Sequence, residues 1–210
     1  MVSKRLLVGL TGALGAGKST VANVLRQRGA LVINADALGH KLLANNDVKQ
    51  ELAGAFGFRI LDNRGSINRR ALAEAAFASG AAVNTLNRIT APPLLKLIAY
   101  TVEKAPANAL VVIDAALILE WRAALAIDII VVVDAPESAR KRWTQEKYDA
   151  DAFDRREQAQ LPADKKRAAA DIIILNDGDG DSLLFKGTTL YDILIRIKNG
   201  NDISTKPLII

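Results

Sequence analysis

Directly after the apolar run Leu6-Leu7-Val8-Gly9-Leu10, the chain reads Gly12-Ala13-Leu14-Gly15-Ala16-Gly17-Lys18-Ser19-Thr20, which fits the spacing G-x-x-x-x-G-K-[ST]. The spacing constrains the fold locally, because an apolar strand must end in a glycine-rich turn and a helix must begin straight after it. Glycines let successive backbone N–H groups turn toward one polyphosphate, the Lys18 ammonium adds a mobile cation, and the Ser19 hydroxyl can ligate magnesium. A plain glycine-rich turn needs neither Lys nor Ser at these two places. Gly12, Gly15, Ala16, Gly17, Lys18, Ser19 and Thr20 are therefore candidate nucleotide-binding residues, with Ser19 as the candidate metal ligand.

Short β-branched or leucine-rich runs recur at 6–10, 31–34, 110–114, 127–133 and 171–175, and read as five buried strands. Helical patterns lie between them, such as 19–28 closed by Gly29, and 136–148 opened by Pro136. Alternating strands and helices predict an α/β chain with a five-stranded parallel sheet covered on both faces, and ligands bind such sheets at the carboxyl ends of the strands. The stretch from 36 to 108 is too long for a simple crossover and carries helical patterns near 36–54, 69–79 and 83–104, so it reads as an inserted, substrate-facing region. A polar, charged stretch at 144–167, with Asp149 and Asp151 as N-cap candidates and Pro162 as a break, suits a mobile helical lid. The core is then 1–35, 109–143 and 168–200, all within one domain.

Leu190, Ile193, Leu194 and Ile197 repeat at helical spacing, with Thr188 or Thr189 as the expected cap and Gly200 as the stop. Residues 204–210 read as disordered or as a packing strand. Asp177, Asp179 and Asp181 alternate as in a calcium loop, but Ser182 and Thr188 replace the required Gly and Glu, so calcium binding is not expected.

At 210 residues and 50% hydrophobic content the chain suits one sizeable domain with insertions. Asp128 and Asp134 interrupt its most apolar segment, so no membrane span and no membrane partner are expected. With no cysteine and no secretory signal, a cytoplasmic location is expected. The net charge of +5 favours polyanionic partners. Aromatics at 5%, with no basic block interleaved among them, point to nucleotides and away from nucleic acid. A monomer is the favoured state.

The loop alone leaves the reaction open. The base-reading N-K-x-D of GTPases is absent, and the run Leu110-Val111-Val112-Ile113-Asp114 continues with Ala115 where ATPase motors carry Glu, which leaves small-molecule kinases. The run Gly29-Ala30-Leu31-Val32-Ile33-Asn34-Ala35-Asp36, closing four residues later at His40, is more discriminating. Together with Gly9 to Ala22, Phe56-Gly57, Gly65 with Arg69 and Leu72, Leu86-Asn87 with Ile89 and Pro92, and Leu117 with Glu120, it resembles the dephospho-CoA kinase family. The resemblance continues through Arg142, Arg156, Gln160, Pro162, Lys165, Ala170-Asp171, Asn176 and Gly178, covering residues 5 to about 180.

The resemblance implies a P-loop kinase fold of three layers and transfer of the γ-phosphoryl group of ATP, with magnesium, to the ribose 3′-hydroxyl of dephospho-CoA, the last step of coenzyme A synthesis. Asp36 would act as general base, Lys18 and Arg142 would neutralise the migrating phosphoryl group, and Arg156 would reach nucleotide phosphates from the lid. His40 would pack or orient, and Arg69 and Glu120 would anchor the inserted region. The chain departs from the family pattern at Asn34, Ala91, Ala116 and Glu146, which stand where the family carries Asp, His, Pro and a second lid arginine. These departures leave open a weak or inactive ATP-binding paralogue, or a kinase for another small hydroxyl acceptor.

Overall fold

The computed structural model describes residues 5–146, 149–201 and 207–210. In chain order the elements are β1 (Leu6–Gly12), α1 (Lys18–Gln27), β2 (Leu31–Asn34), α2 (Ala35–Leu42), α3 (Asn46–Phe56), α4 (Arg69–Ala76), α5 (Gly80–Lys104), β3 (Leu110–Asp114), α6 (Arg122–Leu125), β4 (Ile129–Asp134), α7 (Glu137–Thr144), α8 (Ala150–Gln158), α9 (Ala163–Ala168), β5 (Ile172–Leu175), α10 (Gly180–Lys198) and β6 (Leu208–Ile209). A 3-10 turn, Phe58–Ile60, precedes α4. The chain divides into two units, one of Met1–Asn34 with Thr101–Ile210 and the other of Ala35–Tyr100.

In the first unit, every residue of β1, β3 and β4 is buried, which is the signature of parallel strands covered on both faces. The sheet is parallel throughout, in the order β2-β3-β1-β4-β5-β6. Its register sets Leu10 and Asn34 against Asp114, and Gly12 against Val133, so the polar residues ending these strands gather at one edge. Carboxylates close the opposite ends: Asp128 accepts the Leu7 amide and Asp171 the Ile130 amide, both at 2.8 Å. The core gathers Val8, Leu10, Val112, Val131 and Ile174 of the sheet with Val21 and Leu25 of α1 and Leu190 and Leu194 of α10.

Six strands form where five were expected. The sixth is short enough to escape a periodicity argument: Leu208 and Ile209 pair with Ile172 and Ile173, and the Ile210 amide donates to Ile173 O at 2.9 Å. Residues 204–206 of that expected stretch, and Tyr148 at the end of the helix expected from Pro136, lie outside the described residues. β4 begins at Ile129, two residues later than expected, after Ala126 takes a left-handed conformation at φ 48°.

The last helix begins at Gly180, well before Thr188. The Asp179 side chain caps it by accepting the Asp181 amide at 3.1 Å, while Thr189 Oγ1 bonds back to Phe185 O within the helix. Gly187 permits the close packing of α10 on α1, since a Cβ there would stand 3.1 Å from Val24. Asp149 caps α8, accepting the Ala152 amide at 2.7 Å.

In the second unit, Asn45 and Asn68 cap α3 and α4 by accepting two amides each. Val48, Leu52, Ile60, Leu72 and Ala76 are buried. Pro92 and Pro93 lie inside α5, where their missing N–H groups leave the carbonyls four residues back without helical partners. Among the described residues, no helix is long and apolar enough to cross a membrane.

Candidate functional site

The loop after β1 is shaped by glycines that no other residue could replace without movement. A Cβ on Gly12 would meet the Val133 carbonyl at 2.4 Å, and Gly15 and Gly17 take φ values of 79° and 98°. Gly17 caps α1, so Lys18 and Ser19 begin the helix. Among the described residues, the amides of Gly15, Gly17, Lys18 and Ser19 take no protein acceptor. Such a row of N–H groups at a helix N-terminus is a ready anion cradle.

Three buried groups fix the cradle from behind. Lys166 of α9 is 1% exposed, and its ammonium donates to Gly12 O at 3.0 Å and to Gln160 Oε1 at 2.8 Å. Burial pushes its pKa down to about 8, with nearby Lys18 and Arg140 acting in the same direction and Glu120 and Glu157 against it. Arg140 of α7 donates to Leu14 O at 3.0 Å, pairs with Glu157 of α8 at 2.8 Å and stacks over Phe153. Asn176, just past β5, donates to Ala16 O at 3.0 Å and accepts the Gly178 amide at 3.0 Å.

At the carboxyl end of β3, Asp114 is 2% exposed and receives two donors, the Lys18 ammonium and, at 2.8 Å, the Asn34 amide. An Asp at position 34 would set two carboxylates against each other here, whereas Asn34 donates. The Ala116 departure leaves a backbone contact in place, since Thr11 Oγ1 donates to Ala116 O at 3.1 Å.

Of the residues singled out from sequence, Gly12, Gly15, Ala16, Gly17, Lys18, Ser19 and Thr20 form this loop and the first turn of α1. Ser19 is exposed at the start of α1. Arg142 and Glu146 are exposed, and among the described residues no ion pair joins them. Arg156 is half-buried on α8, one residue before Glu157. Asp36 belongs to the second unit, exposed in the first turn of α2 with His40 one turn further on. Lys165 is exposed and its neighbour Lys166 is the buried one.

Sequence reasoning passed over Asp114, Arg140 and Lys166. Only Asp114 carried a visible signal, a carboxylate closing four apolar residues.

The dephospho-CoA kinase family profile matches residues 6–181. A dephospho-CoA kinase of Corynebacterium efficiens is 36% identical over 92% of this chain and 100% of its own length. One from Aquifex aeolicus is 33% identical over 90% of this chain and 97% of its own. Among solved structures, a Thermus thermophilus protein superposes with a TM-score of 0.73 at 27% identity, covering 90% of this chain and 98% of that one. Dephospho-CoA kinase from Campylobacter jejuni shares the fold, with a TM-score of 0.61 at 21% identity and coverage of 90% and 97%. With the phosphate loop, the parallel sheet and a match spanning most of its length, the chain belongs to the dephospho-CoA kinase family.

Proposed function

We propose that this protein transfers the γ-phosphoryl group of ATP to the ribose 3′-hydroxyl of dephospho-CoA, giving coenzyme A. The observation that carries this reading is the intact loop, with Lys18 at its helix start, inside a family match over residues 6–181. Phosphoryl transfer asks for alignment and charge neutralisation more than for covalent chemistry. The free loop amides and Lys18 hold the β- and γ-phosphates, and Asp114 at the end of β3 pairs with the Lys18 ammonium. Arg142 and Arg156, on helices α7 and α8, neutralise charge on the migrating group and the nucleotide phosphates.

Magnesium suits the Ser19 hydroxyl. Among the described residues there is no cluster of three or more acids or histidines, and a magnesium ion that keeps its waters takes few protein ligands beside the phosphates. When bound, it supplies positive charge to those phosphates. Asp36 accepts the proton of the 3′-hydroxyl as general base. The segment 144–167 acts as a lid over ATP, with Arg140 and Lys166 tying its helices to the loop. ATP as donor accords with a cytoplasmic location.

The direct test supplies purified protein with magnesium-ATP and a panel of acceptors, and measures the phosphorylated product of each. Coenzyme A forming from dephospho-CoA faster than any other product is the expected result. Turnover confined to a different acceptor, or ATP binding without product, refutes the reading.

A further inference from the structure

The second unit contains a cleft of about 230 Å³ whose polar lining is His40, Lys49, Ser66 and Arg69, with Leu43 and Ile67 beside them. The lining is built on fixed backbone. Asp62 Oδ1 accepts the amides of Arg64 and Ser66 at 2.8 and 2.9 Å, and Leu61 bridges Ile67 in antiparallel fashion. Asn68 then caps α4, which sets Arg69 as its first residue, and Asn45 caps α3 about one turn ahead of Lys49. Among the described residues, no carboxylate lines the cleft. Among the described residues neither Lys49 nor Arg69 has an ion-pair partner, whereas the adjacent Arg70 is paired with Glu74 at 3.0 Å. Two cations converging without an acid, beside a hydroxyl and an imidazole, form a receptor for a doubly charged anion.

We propose that this cleft binds the 5′-diphosphate of the acceptor nucleotide, with Arg69 and Lys49 meeting its charges and Ser66 and His40 donating hydrogen bonds; the inference rests on the acceptor reading given above. The geometry of α2 supports the assignment. Asp36 and His40 are four residues apart on one helix, so they share a face and lie about 6 Å apart along its axis. In a nucleotide carrying a free 3′-hydroxyl and a 5′-diphosphate, a single ribose ring separates the two groups. A diphosphate anchored at the His40 end therefore leaves the hydroxyl within one ribose of the base. The cleft thereby gives the protein a means to prefer nucleotide diphosphate acceptors over simple ribosides.

The test is isothermal titration of dephospho-CoA into the protein saturated with a non-hydrolysable ATP analogue, alongside steady-state kinetics. Arg69→Ala and Lys49→Ala should each weaken dephospho-CoA binding about tenfold and the double variant about a hundredfold. KM for ATP should stay within twofold, Arg69→Lys should recover part of the loss, and Arg70→Ala should bind as the wild type does. A double variant with unchanged dephospho-CoA affinity overturns the cleft assignment while wild-type turnover keeps the acceptor reading intact. Equal losses in KM for ATP and for dephospho-CoA overturn it as well, by showing a structural role. A wild type without turnover of dephospho-CoA overturns the acceptor reading itself, and the cleft assignment with it.

Discussion

Around the phosphate loop the cations are already engaged: Lys18 holds Asp114, Arg140 holds Leu14 O and Glu157, and Lys166 holds Gly12 O and Gln160. Around the cleft of the second unit, Lys49 and Arg69 have no ion-pair partner among the described residues, and Arg69 is exposed. The contrast reflects two binding tasks. A triphosphate must be aligned for in-line attack, so its cradle is preorganised by buried bonds that cost little further ordering when the ligand arrives. On the proposed reading, the acceptor's diphosphate lies away from the reacting hydroxyl and needs only capture, so side chains free to close on it suffice. Donor binding then resides in the first unit and acceptor capture in the second.

The largest effect that could break this division belongs to Asp36. Asp36→Asn should lower kcat by about 10² to 10⁴, the usual contribution of a general base, while equilibrium ATP binding stays as in the wild type. A matching loss of ATP affinity would blur the two regions into one. Next comes Lys18→Ala, expected to lower kcat/KM for ATP by about 10² to 10³ through loss of charge at the transferring phosphoryl group. Titration of dephospho-CoA should find its affinity unchanged in that variant.

Lys166 sharpens the comparison through pH. Its folded pKa is depressed from 10.5 to about 8, so between those values the unfolded chain binds more protons than the folded one and stability rises with pH. Relative to Lys166→Met, the wild type should gain about 2 kcal/mol between roughly pH 7.5 and 9.5, read from denaturant unfolding. A difference that does not change with pH would mean that Lys166 is not desolvated beneath the loop. The smallest effect is expected from Asn176→Ala, which leaves Ala16 O without its buried donor. It should cost about 1 to 2 kcal/mol of stability and raise KM for ATP several-fold.

The sequence made the loop and the central strands legible because both rest on local rules, a fixed glycine spacing and continuous apolar runs. Asp36, Arg142 and Arg156 were singled out as site candidates only through the family resemblance. Arg140 and Lys166 stayed hidden because the loop carbonyls they hold, Leu14 O and Gly12 O, lie far away in the chain, and nothing in a charged helical segment distinguishes a lysine that turns inward from its exposed neighbour Lys165. β6 escaped for a related reason. Two apolar residues form a strand only when β5 offers an edge, so tertiary context decides what propensity cannot. The early start of α10 turned on a capping aspartate, Asp179, within an alternating acidic run that resembled a metal loop.

The division of labour is tested most directly by measuring KM for ATP and for dephospho-CoA in Asn176→Ala, Arg69→Ala and the combined variant. Asn176→Ala should raise only the first, Arg69→Ala only the second, and the combined variant should show both changes with no coupling between them. A rise in KM for ATP in Arg69→Ala as large as its rise for dephospho-CoA would contradict the account.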